Sequence, residues 1–312
     1  MNIQLLSIVV PCFNEQDNVL KLTQELNAVL KLYSFSKEFI FVDDGSKDHT
    51  YERIVEISKK NSHVKGYALS RNFGHQIALF AGLKYAKGDV VITMDADLQH
   101  PPEVIPELLE KYLEGYASVN TRRVYDTSAS WFKKASSKWF YVLINKLSDI
   151  RIEPQSSDFR LMNSDCVAAF LNIKEQNRFT RGLVQWIGFK QTIIDYTANK
   201  RFSGASGYSL KKMITLAVDG VTSMTSKPLR ASLYAGVFFL VVGVIYGGFV
   251  LHNFFNGANV PGWTSILILM LLIGGIQLLI LSIIAEYLAK IFNEAKARPL
   301  YFIKAKTSKD ED

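Results

Sequence analysis

An apolar run, Val90-Val91-Ile92-Thr93-Met94, leads directly into two carboxylates one residue apart, Asp95-Ala96-Asp97-Leu98-Gln99. Such a run reads as a strand buried on both faces of a parallel sheet, and ligands on these sheets bind beyond the carboxyl ends of the strands. Carboxylate and amide oxygens are hard ligands suited to Mg²⁺ or Mn²⁺, and Mg²⁺ is commonly held by one or two carboxylates plus substrate phosphates. Asp95, Asp97 and Gln99 at a strand end therefore point to a metal-bridged diphosphate. The plainer alternative gives one Asp to the cap of the helix starting near Pro101-Pro102 and the other to a solvated turn.

The elements needed to position these acids are legible around them. Leu6 to Val10, Glu38 to Val42, Val64 to Leu69, Asp89 to Met94 and Ala117 to Asn120 read as strands, with helical patterns near residues 15–32, 48–60, 75–86 and 101–114 between them. This alternation predicts an α/β fold, a mostly parallel sheet with right-handed crossovers. Three of the strands end in polar sets: Pro11-Cys12-Phe13-Asn14-Glu15, Asp43-Asp44-Gly45-Ser46 and Asp95-Ala96-Asp97. Parallel strands point one way, so the three sets should converge on one edge. After residue 125 the pattern turns helical. Trp131, Phe132, Trp139, Phe140 and Tyr141 are expected over the sheet, one late strand at Ile193-Ile194-Asp195-Tyr196, and a disordered tail over Lys304 to Asp312.

Of the 312 residues, 48% are hydrophobic, and the excess is local: Ala231 to Ala285 holds no Asp, Glu, Lys or Arg. A turn-rich stretch from Asn253 to Gly262 divides this window into Ala231–His252 and Thr264–Ala285. Each piece would span roughly 33 Å as a helix, against a hydrocarbon core of ~30 Å, which predicts two transmembrane helices. Lys211, Lys212, Lys227 and Arg230 precede the first span, and Lys290, Lys296, Arg298, Lys304, Lys306 and Lys309 follow the second. By the positive-inside rule the catalytic domain and both termini face the cytoplasm of an inner (plasma) membrane. Ser209 to Thr225 reads as an interfacial amphipathic helix. The net charge of +7 sits largely beside the spans, which suits anionic lipid and argues against a nucleic-acid partner. Two cysteines, Cys12 and Cys166, exclude a disulfide framework.

Ile8-Val9-Val10-Pro11-Cys12-Phe13-Asn14-Glu15, Val42-Asp43-Asp44-Gly45-Ser46, Arg71-Asn72-Phe73-Gly74-His75 and Asp95 to Pro102, taken in order, resemble family 2 glycosyltransferases. The match is to the polyprenyl-phosphate branch related to dolichol-phosphate mannose synthase, whose two-span bacterial members end in elements like Gly275-Ile276-Gln277-Leu278, Glu286-Tyr287-Leu288 and Arg298-Pro299-Tyr301 here. The resemblance implies a GT-A fold that takes a UDP-sugar donor and moves a hexose, glucose first among the candidates, onto a polyprenyl (undecaprenyl) phosphate acceptor at the bilayer face. GDP-mannose is the alternative donor. Carried over to this chain, Pro11, Phe13, Glu15 and Asp43 would line the nucleobase and ribose, and Asp95 the nucleotide. Asp97 and Gln99 would hold Mg²⁺ or Mn²⁺ against the diphosphate. Arg71 and His75 would stabilise the phosphates or brace their loop. On the acceptor side Asp158 would position the acceptor or take a proton, with Arg160, Lys200 and Arg201 as phosphate clamps. His100 stands where many relatives have Asp, with little consequence expected.

The resulting domain expectation is a cytosolic domain over 1–205, an interfacial region over 206–229, a membrane hairpin over 230–290 and a basic tail over 291–312. Processive polysaccharide synthases fit poorly, since they carry Gln-x-x-Arg-Trp and further spans. Neither Gly-x-x-x-x-Gly-Lys-Ser/Thr nor Gly-x-Gly-x-x-Gly occurs. A non-catalytic membrane scaffold remains the rival from another class, with the intact Asp95, Asp97 and Gln99 set against it. Gly243, Gly247, Gly248, Gly274 and Gly275 would permit close helix packing within a chain or in a homo-oligomer.

Overall fold

The computed structural model describes residues 3–124, 156–176, 178–199, 225–256 and 262–307. The strands are β1 (Leu5–Cys12), β2 (Ser36–Asp43), β3 (Val64–Leu69), β4 (Val90–Thr93), β5 (Ser118–Val124), β6 (Ser156–Asn163), β7 (Gln191–Thr197) and β8 (Ile303–Lys306). They form one sheet in the order β7-β5-β6-β4-β1-β2-β3-β8. The run β4-β1-β2-β3 is parallel, as the alternation of sequence patterns predicts. Cys12 lies opposite Asp43 and Val9 opposite Thr93, so the polar sets after β1, β2 and β4 open on one edge.

The helices are α1 (Val19–Val29), α2 (Thr50–Lys60), α3 (His75–Tyr85), α4 (Ile105–Leu113), α5 (Ser164–Asn172), α6 (Thr180–Trp186), α7 (Lys227–Phe255) and α8 (Trp263–Ala295). Side-chain alternation along β1 sends Ile8 and Val10 to one face and Val9 to the other, and both faces are covered. Leu22 and Leu26 of α1, Ile54 of α2 and Leu108 of α4 pack on the first face. Leu79 and Leu83 of α3, Phe170 of α5 and Leu183 of α6 pack on the second. Burying each large apolar side chain in these layers contributes about 1.5–3 kcal/mol, which explains why the central strands read as unbroken apolar runs.

Two elements depart from expectation. β6 runs antiparallel between β4 and β5, where the sequence pattern points to helix. Its odd residues Phe159 and Leu161 enter the first core, but its even residues include Asp158 and Arg160, buried as an ion pair. Those charges hide the strand's alternation. The expected disordered tail is corrected over its first residues: Ile303–Lys306 forms β8, antiparallel to β3. The expected aromatic cover at Trp131 to Tyr141 and the amphipathic helix from Ser209 lie outside the described residues.

Lys227–Phe249 of α7 and Leu272–Ala295 of α8 are each long and apolar enough to cross a membrane, with mean hydropathies of 1.9 and 2.0. The 33 residues of α8 extend about 50 Å, well past a ~30 Å hydrocarbon core, and the excess carries Glu286, Lys290 and Glu294. That excess docks on the sheet domain. The backbone N–H of Gln176 donates to Glu294 Oε1 at 2.6 Å, and Gln176 Nε2 donates to the Arg298 carbonyl at 3.0 Å. Leu300, Tyr301 and Ile303 then pack against the second core, where β8 joins the sheet.

Gly66 makes that last pairing possible. Its N–H donates to Thr307 Oγ1 at 2.8 Å and its carbonyl accepts from Thr307 N at 2.9 Å. A Cβ on Gly66 would stand 2.4 Å from Ile54 Cγ2 and 2.9 Å from Thr307 Cγ2. Gly66→Val should therefore destabilise the domain by about 1–3 kcal/mol through overpacking. A thermal unfolding midpoint equal to wild type, in detergent, would show that β8 does not pair with β3.

Candidate active site

Backbone constraints shape the nucleotide end of the edge. Beyond β1, Phe13 is 41% exposed and Asn14 adopts a left-handed φ of 57°. Asn14 tolerates this because its side chain bonds locally: Oδ1 accepts from Lys47 N at 2.9 Å, while its own N–H donates to Ser46 Oγ at 2.9 Å. Asp43 is buried and accepts from Ser46 N at 3.2 Å; burial raises its pKa. Gly45 has φ of 68°, and a Cβ there would meet the Arg71 carbonyl carbon at 2.5 Å. Only glycine lets the two loops touch. Asp44 locks that contact by accepting from Phe73 N at 2.7 Å and Gly74 N at 2.9 Å, just before α3.

The loop after β4 is tighter still. Gln99 N donates to Asp97 Oδ1 at 3.1 Å across Leu98, whose φ is 61°. A left-handed leucine costs of order 1–3 kcal/mol, and persists only where its surroundings over-determine it. Here they do. His100 Nδ1 accepts from Asp95 N at 2.9 Å, and the Gln99 carbonyl accepts from Asn199 N at 3.2 Å, just past β7. Gln99 Oε1 accepts from Arg123 at 3.2 Å.

Asp158 ties this loop to two helices. Its Oδ1 lies 3.1 Å from Arg160 NH2, and its Oδ2 lies 3.2 Å from Arg181 NH2, 3.3 Å from Gln76 Nε2 and 3.7 Å from His75 Nε2. Thr93 Oγ1 donates to its backbone carbonyl at 2.6 Å, joining β6 to the end of β4. Burial pushes the Asp158 carboxyl up, but Arg181, His75 and Arg160 outweigh it and hold the group well below the usual carboxylate range. His75 also sits 3.4 Å from Asp95 Oδ1. Burial lowers the His75 pKa, yet Asp95 and Asp158 raise it to about 9, so the ring is an imidazolium at neutral pH.

The residues fit a divalent cation in part. Asp95 Oδ1 is buried and accepts no hydrogen bond, its charge faced by the His75 ring at 3.4 Å, and Asp97 is two residues away on the same loop. Gln99 fits less well, because its carbonyl oxygen already faces the Arg123 guanidinium.

Among the other sequence-derived candidates, Glu15 lies on the β1 loop with its N–H bonded to Thr50 Oγ1 at 2.8 Å. Pro11 is buried within β1, which leaves Phe13 as the exposed ring at that strand end. Arg71 is exposed on the rim, 4.1 Å over the Phe73 ring. Arg160 is a correction: at 1% exposure, spent on Asp158 and the Ser157 carbonyl, it has no surface from which to clamp a phosphate. Lys200 and Arg201 lie outside the described residues. Sequence reasoning missed Arg181, Gln76 and Arg123. Arg181 left a signal, a lone cation at the start of the otherwise uncharged helix Thr180–Trp186.

Comparison with known proteins identifies the family. Residues 7–170 match the family described as Glycosyl transferase family 2. An uncharacterized glycosyltransferase, YkcC of Bacillus subtilis, is 43% identical over 95% of this chain and 92% of its own length. The bactoprenol glucosyl transferase of Shigella phage SfV is 36% identical over 97% of this chain and 99% of its own. A solved mannosyl-3-phosphoglycerate synthase from Rubrobacter xylanophilus aligns with a TM-score of 0.49 at 16% identity, covering 73% of this chain and 74% of its own. The architecture is that of a GT-A glycosyltransferase. The chain belongs to glycosyl transferase family 2.

Two predictions follow from the charge network. Asp158→Asn leaves Arg160 as an uncompensated buried cation, a defect that costs about 3–5 kcal/mol; an unchanged denaturant midpoint would refute the pairing. His75 has a folded-state pKa above its ordinary 6.5, so its stabilisation is complete below about pH 6.5 and is lost as pH rises through about 9. Metal-free wild type should lose stability across that window, and His75→Gln should lose less. Parallel curves for the two proteins would remove His75 from the network.

Proposed function

We propose that this chain is a membrane-bound, inverting glycosyltransferase that moves a hexose, best assigned as glucose, from a UDP-sugar to polyprenyl phosphate at the cytoplasmic face. The observation that carries the reading is the pairing of an Asp95/Asp97 loop on the open sheet edge with an apolar helix pair tied into the same domain. The relatives named for bactoprenol glucosyl transfer support the lipid acceptor and the sugar. A lipid phosphate is anchored by ~0.8 kcal/mol for each buried CH₂, so the enzyme must come to the bilayer. The Lys and Arg residues flanking the hairpin support a cytoplasmic site.

In this reading Phe13, Glu15 and Asp43 receive the nucleoside, and Asp95 and Asp97 hold Mg²⁺ or Mn²⁺ beside the diphosphate. When bound, that cation stabilises the charge developing on the leaving diphosphate. The His75 imidazolium adds a fixed positive charge at the same place. A phosphate oxygen of the acceptor attacks the anomeric carbon opposite the diphosphate, the bond from that carbon to the diphosphate oxygen breaks, and configuration inverts. The second pKa of a phosphate monoester is near ~6, so the nucleophile is largely ionised at neutral pH. Asp158 therefore need not take a proton. With its pKa held far down, it is suited to orienting Arg181 and His75. Lys200 and Arg201, close in sequence to the membrane hairpin, are assigned to the acceptor phosphate.

The test uses full-length protein in detergent with polyprenyl phosphate, Mg²⁺ or Mn²⁺, and a panel including UDP-glucose, other UDP-hexoses and GDP-mannose. Transfer from UDP-glucose is expected in wild type. Asp97→Ala should stay folded and lose at least about a hundredfold in rate. Transfer from GDP-mannose alone would reassign the donor, and full activity in the Asp97 variant would end the metal role.

A further inference from the structure

We propose that His100 is a positioning residue that fixes the Asp95–Asp97 loop against β6 and so sets how firmly the site grips the cation and diphosphate of its donor. The inference rests on the function proposed above. Its structural basis is one ring used at both nitrogens. Nδ1 accepts from the backbone N–H of Asp95 at 2.9 Å, which places the ring proton on Nε2. Nε2 then donates to Ser157 Oγ at 2.8 Å. One imidazole thus joins the backbone of the first loop carboxylate to the hydroxyl beside Asp158.

Everything around the ring holds it in that orientation. His100 is 5% exposed, stacks on Phe159 with centroids 5.2 Å apart and planes at 15°, and meets the edge of Tyr196 at 5.8 Å. The Tyr196 hydroxyl lies 3.2 Å from the same Ser157 Oγ. The loop needs such a fixture because it contains the left-handed Leu98, a conformation that relaxes unless the ends of the turn are pinned. His100 pins the end nearer β4. Without an acceptor for Asp95 N–H, the buried Asp95 Oδ1 loses its fixed direction.

The two nitrogens can be separated by substitution. In His100→Asn the amide oxygen can take the place of Nδ1 and accept from Asp95, but the side chain stops short of Ser157. In His100→Gln the amide nitrogen can reach Ser157, but Asp95 N–H is left without its acceptor. The first readout is hydrogen exchange at the Asp95 amide in metal-free, full-length protein. Exchange should speed up about tenfold in His100→Gln, the equivalent of one hydrogen bond, and stay within about threefold of wild type in His100→Asn. The second readout is UDP binding titrated with Mn²⁺: the half-saturating Mn²⁺ concentration should rise about tenfold in His100→Gln only, with the KM for polyprenyl phosphate unchanged in both variants. Wild-type exchange and binding in His100→Gln would overturn the proposal. So would equal damage in both variants extending to the acceptor KM, which marks a core defect. If wild type binds no UDP at any Mn²⁺ concentration, the donor assignment fails while the exchange comparison still decides the role of His100.

Discussion

The site depends on one buried carboxylate. Asp158 sits on an antiparallel strand inserted beside the strand that carries the loop acids, and it gathers Arg160 from its own strand, Arg181 from α6, and Gln76 and His75 from α3. A buried ion with so many donors stays charged, and its partners are held in place by what they would lose on leaving. Three separate segments are thereby fixed relative to the end of β4. The arrangement also explains why an antiparallel strand belongs here. Running toward the core from the open edge, β6 presents its first residues, Ser157 and Asp158, where the parallel strands present their last.

A second constraint fixes how the apolar helix pair joins the sheet domain. The apolar pair α7 and α8 is not a tether hanging from one end of the domain. The chain leaves α8 through contacts with Gln176, packs Leu300 and Tyr301 against the second core and adds β8 to the edge of the sheet. Both strand pairing and side-chain packing resist tilting at that junction. Under the proposed function this matters, because an acceptor confined to a bilayer surface would be met by a rigid donor site only if the domain's distance from that surface is fixed.

Legibility in the sequence followed the physics of burial. Strands covered on both faces by helices are largely apolar, so β1 to β4 and the acids after β1, β2 and β4 could be read directly, together with the charge-free window Ala231–Ala285 of the two long helices. β6 could not, because its polar face is satisfied by partners distant in sequence: the residues that donate to Asp158 include Arg181, 23 positions away, and Gln76, 82 positions away. The same blindness turned Arg160 into an expected surface clamp. A buried arginine and an exposed one look alike until the carboxylate beneath is found. β8 escaped for another reason, since four residues of alternating Lys and apolar type carry too little hydrophobicity to declare an edge strand.

Under the proposed function, charge balance gives a reason why a cation would accompany the donor. Around the β4 loop, the carboxylates of Asp95, Asp97 and Asp158 are met by Arg160, Arg181 and the His75 imidazolium, so the described cluster is close to neutral. A diphosphate entering such a site brings several negative charges into a partly buried space, and Coulomb repulsion from Asp95 and Asp97 would oppose it. A divalent ion reverses that sign, because the same two carboxylates that repel the diphosphate attract the ion that binds it. In that reading the acids of the loop and the imidazolium beside them would act as one set, in which each new charge is answered by one already in place.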